Sequence, residues 1–125
     1  MKGQRLFVRP IDAGDAAAVG DFLIRHGVAA SSPAPCGLVG KLVGDLVAVL
    51  TMEVTETAIR VEELIVAKEL RGKRVGRVMM NELHALAAKM DRNRIEAGRG
   101  AADGFLRRVG FEKEGNQWVR RVSQG

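Results

Sequence analysis

The stretch VAKELRGKRVGRVMM, residues 66–80, holds the densest set of groups in the chain that could do chemistry. Gly72 and Gly76 sit among Lys68, Arg71, Lys73, Arg74 and Arg77, and an apolar repeat of helical period begins at Val75. The first amides of a helix lack intrahelical acceptors, and the helix dipole adds partial positive charge at that end. A phosphate can accept several of those hydrogen bonds at once. Glycine has no Cβ to hold such a group away, while the basic side chains bring charge-assisted donors. The spacing predicts a phosphate site over residues 71–77. Immediately upstream, Val61-Glu62-Glu63-Leu64-Ile65-Val66 puts two adjacent carboxylates on a predicted strand. A carboxylate can take a proton from a reacting group, and strict strand alternation would send Glu62 and Glu63 to opposite faces of the sheet.

The elements that must position these groups follow from periodicity. Residues 5–9 alternate as a first strand that stops at Pro10, and Asp12 or Asp15 can cap a helix running to His26 with Val19, Phe22 and Leu23 on one face. Residues 27–35 (GVAASSPAP) read as a loop. Three strands in a meander follow over 37–42, 46–53 and 58–66. The period then changes to 3.6, with Val75, Met79, Leu83, Leu86 or Ala87, and Met90 forming one stripe of a helix about fifteen residues long. A strand over 94–97, a short helix over 103–109 and a hairpin pairing 110–113 with 117–122 complete the chain. His84 lies beside the apolar stripe and reads as structural, and Cys36 as a small buried residue.

Composition narrows the function classes. A chain of 125 residues, 46% hydrophobic and 28% charged with both signs interspersed, suits one globular domain over residues 1–125. The opening residues carry no continuous apolar run, and Lys41 and Asp45 interrupt the most apolar stretch, so no signal peptide or membrane span is expected and the default location is the cytoplasm. One cysteine and two scattered histidines cannot build a tetrahedral zinc site, and no metal is expected. A net charge of +5 favours anionic partners. Nucleic acid is the lesser candidate, because four Phe and one Trp offer no stacking platform and no nucleic-acid signature is present. Gly40-Lys41 and Gly72-Lys73 both lack the full P-loop spacing.

Arg71, Gly72, Lys73, Val75 and Gly76 resemble motif A of the GNAT superfamily, whose commonest form is R-G-K-G-[IV]-G, with Arg74 standing at the first motif glycine. Glu62 to Val66 is similar to the E-[DE]-[LF]-[FY]-V strand of several members, spermidine/spermine acetyltransferases among them. Ala102, Phe105, Gly110 and Phe111 match the late pattern A-x-x-F-Y-x-x-x-G-F, with Leu106 at the tyrosine. The resemblance covers about residues 58–122.

It implies a mixed, mostly antiparallel twisted sheet of six to seven strands flanked by about three helices, an α+β fold. It further implies transfer of acetyl from acetyl-CoA directly to a primary amine of a small molecule or peptide, with Glu62 or Glu63 as general base. The pyrophosphate would sit on the amides of 71–77, near Arg71, Gly72, Lys73, Arg74, Val75, Gly76 and Arg77. The pantetheine arm would lie along Leu64, Ile65 and Val66, with Phe105 beside it, and an amide near Ile65 or Val66 would face the reacting carbonyl. Arg99 stands where members often carry asparagine. Assembly as a homodimer is implied, and the short 27–35 loop implies an open acceptor side suited to a large or extended amine. A CoA-binding domain with little or no transfer activity is the rival within the same fold.

Overall fold

The computed structural model of the chain describes residues 6–28, 36–97 and 103–122. Its strands are β1 (Leu6–Pro10), β2 (Gly37–Leu42), β3 (Asp45–Val54), β4 (Ala58–Val66), β5 (Arg94–Ala97), β6 (Glu112–Glu114) and β7 (Gln117–Arg121). They form one seven-stranded sheet in the order β1-β2-β3-β4-β5-β7-β6. Every neighbouring pair is antiparallel except β4 and β5, which run parallel. That exception follows from the helix between them, since a parallel return needs a crossover. Three helices, α1 (Ala16–Arg25), α2 (Val75–Lys89) and α3 (Asp103–Arg108), flank the sheet. This is the α+β arrangement read from the sequence. Of the residues singled out there, Arg5, 29–35, Arg99 and Ala102 lie outside the described ones.

Strand alternation sorts the core into two layers. Ala48, Leu50 and Met52 of β3 turn toward α2, whose Met79, Leu83 and Ala87 recur at helical spacing and are buried with Ile59 and Ile95. Val49 turns the other way, where Val39 and the α1 residues Val19, Phe22 and Leu23 form the second layer. Burying side chains of this size contributes about 1.5–3 kcal/mol each, so α2 is held in place by its inward stripe.

Three local expectations need correction. β1 extends through Pro10, because an edge strand tolerates a residue without an N–H. β6 begins at Glu112 instead of residue 110. There Gly110 takes a left-handed φ of 91° and the amide of Phe111 returns to the carbonyl of Leu106 at 2.9 Å, so this stretch ends α3 before the hairpin starts. Cys36 is exposed, not buried, since it precedes β2 and lies outside both core layers.

Candidate active site

The site begins with an interrupted strand pairing. Residues 59–61 of β4 are flanked on both sides, by β3 and by β5, but among the described residues the β5 ladder ends at the pair Val61↔Ala97. Beyond it, among the described residues, Glu63 to Val66 pairs with β3 alone, and the other edge of β4 meets no strand. The amide of Ala67 donates to Val47 at 2.8 Å. Alternation along an antiparallel ladder then turns the amide of Ile65 toward β3 and those of Leu64 and Val66 toward the open edge. Of the two amides expected near the reacting carbonyl, Val66's is therefore the accessible one. Its carbonyl also faces outward and accepts from Arg71 Nε at 3.2 Å.

The carboxylates sit where the ladder slips. Thr51 opposes Glu63 while Met52 opposes Val61, so Glu62 is an extra residue, a β-bulge. The bulge reverses the strand's parity: Ile59 and Val61 face α2 before it, Leu64 and Val66 after it, and Ile65 joins the α1 layer. Strict alternation therefore fails here, and both Glu62 and Glu63 are exposed and line one cavity. Neither has an ion-pair partner among the described residues. Just below, Glu96 is buried and bridged to Arg94 at 2.6 Å and to Arg60 of β4 at 3.5 Å. This ties β4 to β5 beside the point where they part.

The second half of the site is the start of α2. After a 3-10 turn at Lys68–Leu70, Gly72 and Arg74 both adopt left-handed φ, 81° and 67°. Glycine does so freely; an arginine pays on the order of 1–2 kcal/mol. Val78 N–H reaches back to Arg74 O at 3.1 Å, which leaves the amides of Val75, Gly76 and Arg77 ahead of it without intrahelical acceptors. No side chain caps this end and its first turn holds no acid.

The open β4 edge, the uncapped helix start and α3 enclose a cavity of about 700 Å³. Of the residues proposed from sequence, Glu62, Glu63, Leu64, Ile65 and Val66 line one part of it, and Arg71, Gly72, Arg74, Val75, Gly76 and Arg77 another. Phe105 joins them from α3. Lys73 does not: it is exposed, held where its amide donates to Leu70 O at 3.2 Å, and lies outside the cavity wall. Gly72 and Gly76 also differ from one another. A Cβ on Gly72 would meet nothing within 4 Å, whereas one on Gly76 would meet the Phe105 ring at 3.1 Å. Gly76 thus lets α2 and α3 approach, and the wall of the cavity depends on it.

Sequence reasoning missed Met80, Ala97 and Arg108, which also line the cavity. Met80 follows Gly76 by four residues and Arg108 follows Phe105 by three, so helical spacing carried a signal for both. Ala97 depends on where the β5 ladder ends, which no local pattern marks. Leu106, fully buried, closes the cavity floor. Among the described residues no group of three or more His, Cys, Asp or Glu is placed to hold a metal ion, and no helix is long and apolar enough to cross a membrane.

Several solved structures share this fold at low sequence identity. A GNAT-family N-acetyltransferase (YhbS) from Escherichia coli in complex with CoA is 16% identical and superposes with a TM-score of 0.77 over 98% of this chain and 84% of that one. The ribosomal-protein-S18-alanine N-acetyltransferase from Escherichia coli is 12% identical, with a TM-score of 0.77 over 97% of this chain and 96% of that one. The N-acetylglutamate synthase from Neisseria gonorrhoeae, complexed with coenzyme A and L-arginine, is 14% identical; with a TM-score of 0.79, the match covers 94% of this chain and 33% of that longer one. Among curated proteins, none matches the sequence. Residues 24–113 match the acetyltransferase (GNAT) domain family, and the chain belongs to that family.

Proposed function

We propose that this chain, as one GNAT domain over residues 1–125, moves an acetyl group from acetyl-CoA directly to a primary amine. The observation that carries the reading is the junction of an open strand edge with an uncapped helix start on a single cavity of about 700 Å³. The residues present fit the cofactor. The amides of Val75, Gly76 and Arg77 suit a diphosphate, with Arg71 and Arg77 beside them. The amide and carbonyl groups of Leu64 and Val66 suit an amide-bearing pantetheine arm laid along β4 as an added strand.

When bound, acetyl-CoA supplies a thioester carbonyl whose oxygen gains negative charge as the amine attacks. The Val66 amide donates to that oxygen from a fixed position. Glu62, displaced from the ladder by the bulge, accepts the amine's proton, which an ammonium with a pKa near ~10 must lose before it can attack. Glu63 stands next to it as the alternative base. Leu106 offers no proton, so the departing thiolate, with a thiol pKa of about 8.5, takes through water the second proton that the attacking nitrogen gives up. The two exposed carboxylates favour a cationic acceptor, free or on a peptide. Homodimer formation and a cytoplasmic setting complete the reading; the exposed edge strand β1, with Phe7 66% accessible, is a surface with reason to be covered.

The test is calorimetric titration with acetyl-CoA followed by steady-state transfer to a panel of amines and lysyl peptides. Glu62→Gln is expected to lower kcat by about 100-fold or more while acetyl-CoA binding holds, and Glu63→Gln by less than about tenfold. Binding without turnover on any amine would leave the chain a CoA-binding domain. Absence of binding would end the proposal.

A further inference from the structure

Four arginines line the cavity, and they are not equivalent. Arg71 Nε is held by the carbonyl of Val66 at 3.2 Å, and Arg77 Nη2 by the carbonyl of Arg108 at 3.4 Å. Arg108 stands on α3. Arg74 stands directly before the free amides of α2, is exposed, and among the described residues its guanidinium has no hydrogen-bond or ion-pair partner. Its φ of 67° is one that L side chains adopt at a cost and glycine adopts freely. A glycine would give the same turn without strain and expose the same amides. What arginine adds is the side chain alone: an untethered, permanently charged fork beside a helix start that already offers donors for one phosphate-type group.

The ligand proposed above carries charge in two places. Its diphosphate is attached at the 5′ oxygen of a ribose, and the same ribose bears a separate phosphate on its 3′ oxygen. Three helix amides can serve the first, and the second needs its own cation a few bonds away. We infer that Arg74 is the specificity-determining residue for that second phosphate, so that the chain selects CoA thioesters over those lacking the 3′-phosphate. This inference rests on the acetyl-CoA reading and extends it from which cofactor binds to which part of the cofactor is recognised. It also assigns a purpose to the departure from the R-G-K-G-[IV]-G pattern: discrimination is obtained at the expense of backbone comfort.

The experiment compares titrations of the full chain with CoA and with 3′-dephospho-CoA, in low and in high salt. The wild-type protein is expected to bind CoA about tenfold more tightly, or about 1.4 kcal/mol, with the preference shrinking as salt screens the exposed pair. Arg74→Gly removes the guanidinium and the strain together. It is expected to bring the ratio of the two affinities to about one while raising Tm by a few degrees. Arg74→Ala removes only the guanidinium; it should lose the preference without the gain in Tm. This second variant separates the charge effect from the backbone effect. Retention of the wild-type ratio in both variants would overturn the assignment. So would equal binding of the two ligands by the wild-type protein, an outcome that leaves the acetyl-CoA reading standing. Failure of the wild-type protein to bind either ligand would instead overturn both.

Discussion

The starts of α1 and α2 meet the same physical problem in opposite ways. Asp15, the N-cap of α1, makes no side-chain capping bond, but the helix continues from a 3-10 turn over Ala13–Asp15 that is capped: the Asp12 side chain accepts from the Gly14 amide at 2.9 Å, and the Asp12 amide donates to Asp15 Oδ2 at 2.9 Å, a reciprocal box that satisfies the turn's first donors internally. Asp15 is in turn gripped by Arg9, with contacts of 2.6 and 2.8 Å. At α2 no side chain caps, no acid stands in the first turn, and Arg71, Arg74 and Arg77 crowd the positive end of the dipole. Basic residues at a helix start cost stability unless an anion arrives. A chain that builds one start on a capped turn and leaves the other open, strained and cationic has the contrast expected if the second start receives the anionic ligand proposed for it.

The sharpest way to break this contrast is Gly76→Val. The added side chain would press on the Phe105 ring, already 3.1 Å from an ideal Cβ, and narrow the approach to the α2 amides. Acetyl-CoA affinity is expected to fall about 100-fold or more, roughly the loss of two charge-assisted hydrogen bonds. Because Phe105 must shift, Tm should fall as well. Calorimetry and a melting curve read the two effects separately, and unchanged CoA affinity would place the site elsewhere.

Next in size is Asp12→Ala, which opens the capped start. Loss of a cap of this kind costs about 1 kcal/mol, seen as a fall in Tm of a few degrees. Acetyl-CoA affinity should stay at the wild-type value, since Asp12 lies on the α1 side of the sheet. A stability loss accompanied by weaker binding would mean that the two starts are coupled and the contrast is false.

Much of this was legible before any coordinates. The change of period from 2 to 3.6 after Val66 located the junction, and Gly72, Gly76 and the surrounding basic residues marked it as the candidate site, because both signals are local. The parts that stayed hidden depend on pairing between distant segments. The bulge at Glu62 arises from how β4 registers on β3, and it overturns the alternation that would part Glu62 from Glu63. Among the described residues, β5 supplies only four residues beside a nine-residue β4, and the rest of that edge meets no strand. Lys73 was included on its charge and its match to the motif, and the turn between two left-handed neighbours leaves it outside the cavity wall. Gly76 was read for its absent Cβ toward a phosphate, and the fold adds a second reason for that glycine, the Phe105 ring 3.1 Å from where a Cβ would stand.

The smallest effect, and the one most specific to the capped start, is its pH dependence. Asp15 is held well below the usual carboxylate range, first by the hydrogen bond from Arg9 and then by the Asp12 amide. A carboxylate depressed in the folded state contributes stability that is present above its unfolded pKa of about 3.9 and is lost as pH falls through the folded value. Arg9, raised by the same contact, stays charged throughout and adds no titration in that window. Lowering pH also touches His84, whose imidazole is held below its ordinary value by burial and then by the charge of Arg120. That group withdraws stability as pH drops below about 6.5, because the unfolded chain takes the proton more readily. Comparing wild type with Asp15→Asn cancels the His84 contribution, which is common to both. The wild-type protein should melt higher by a constant margin from pH 5 to 8, and the margin should close as pH is taken below about 4. The α2 start has no carboxylate of its own to titrate, so no matching change is expected there. A margin that persists unchanged at pH 3 would show that Asp15 acts by shape and not by charge, and the electrostatic half of the comparison would fall with it.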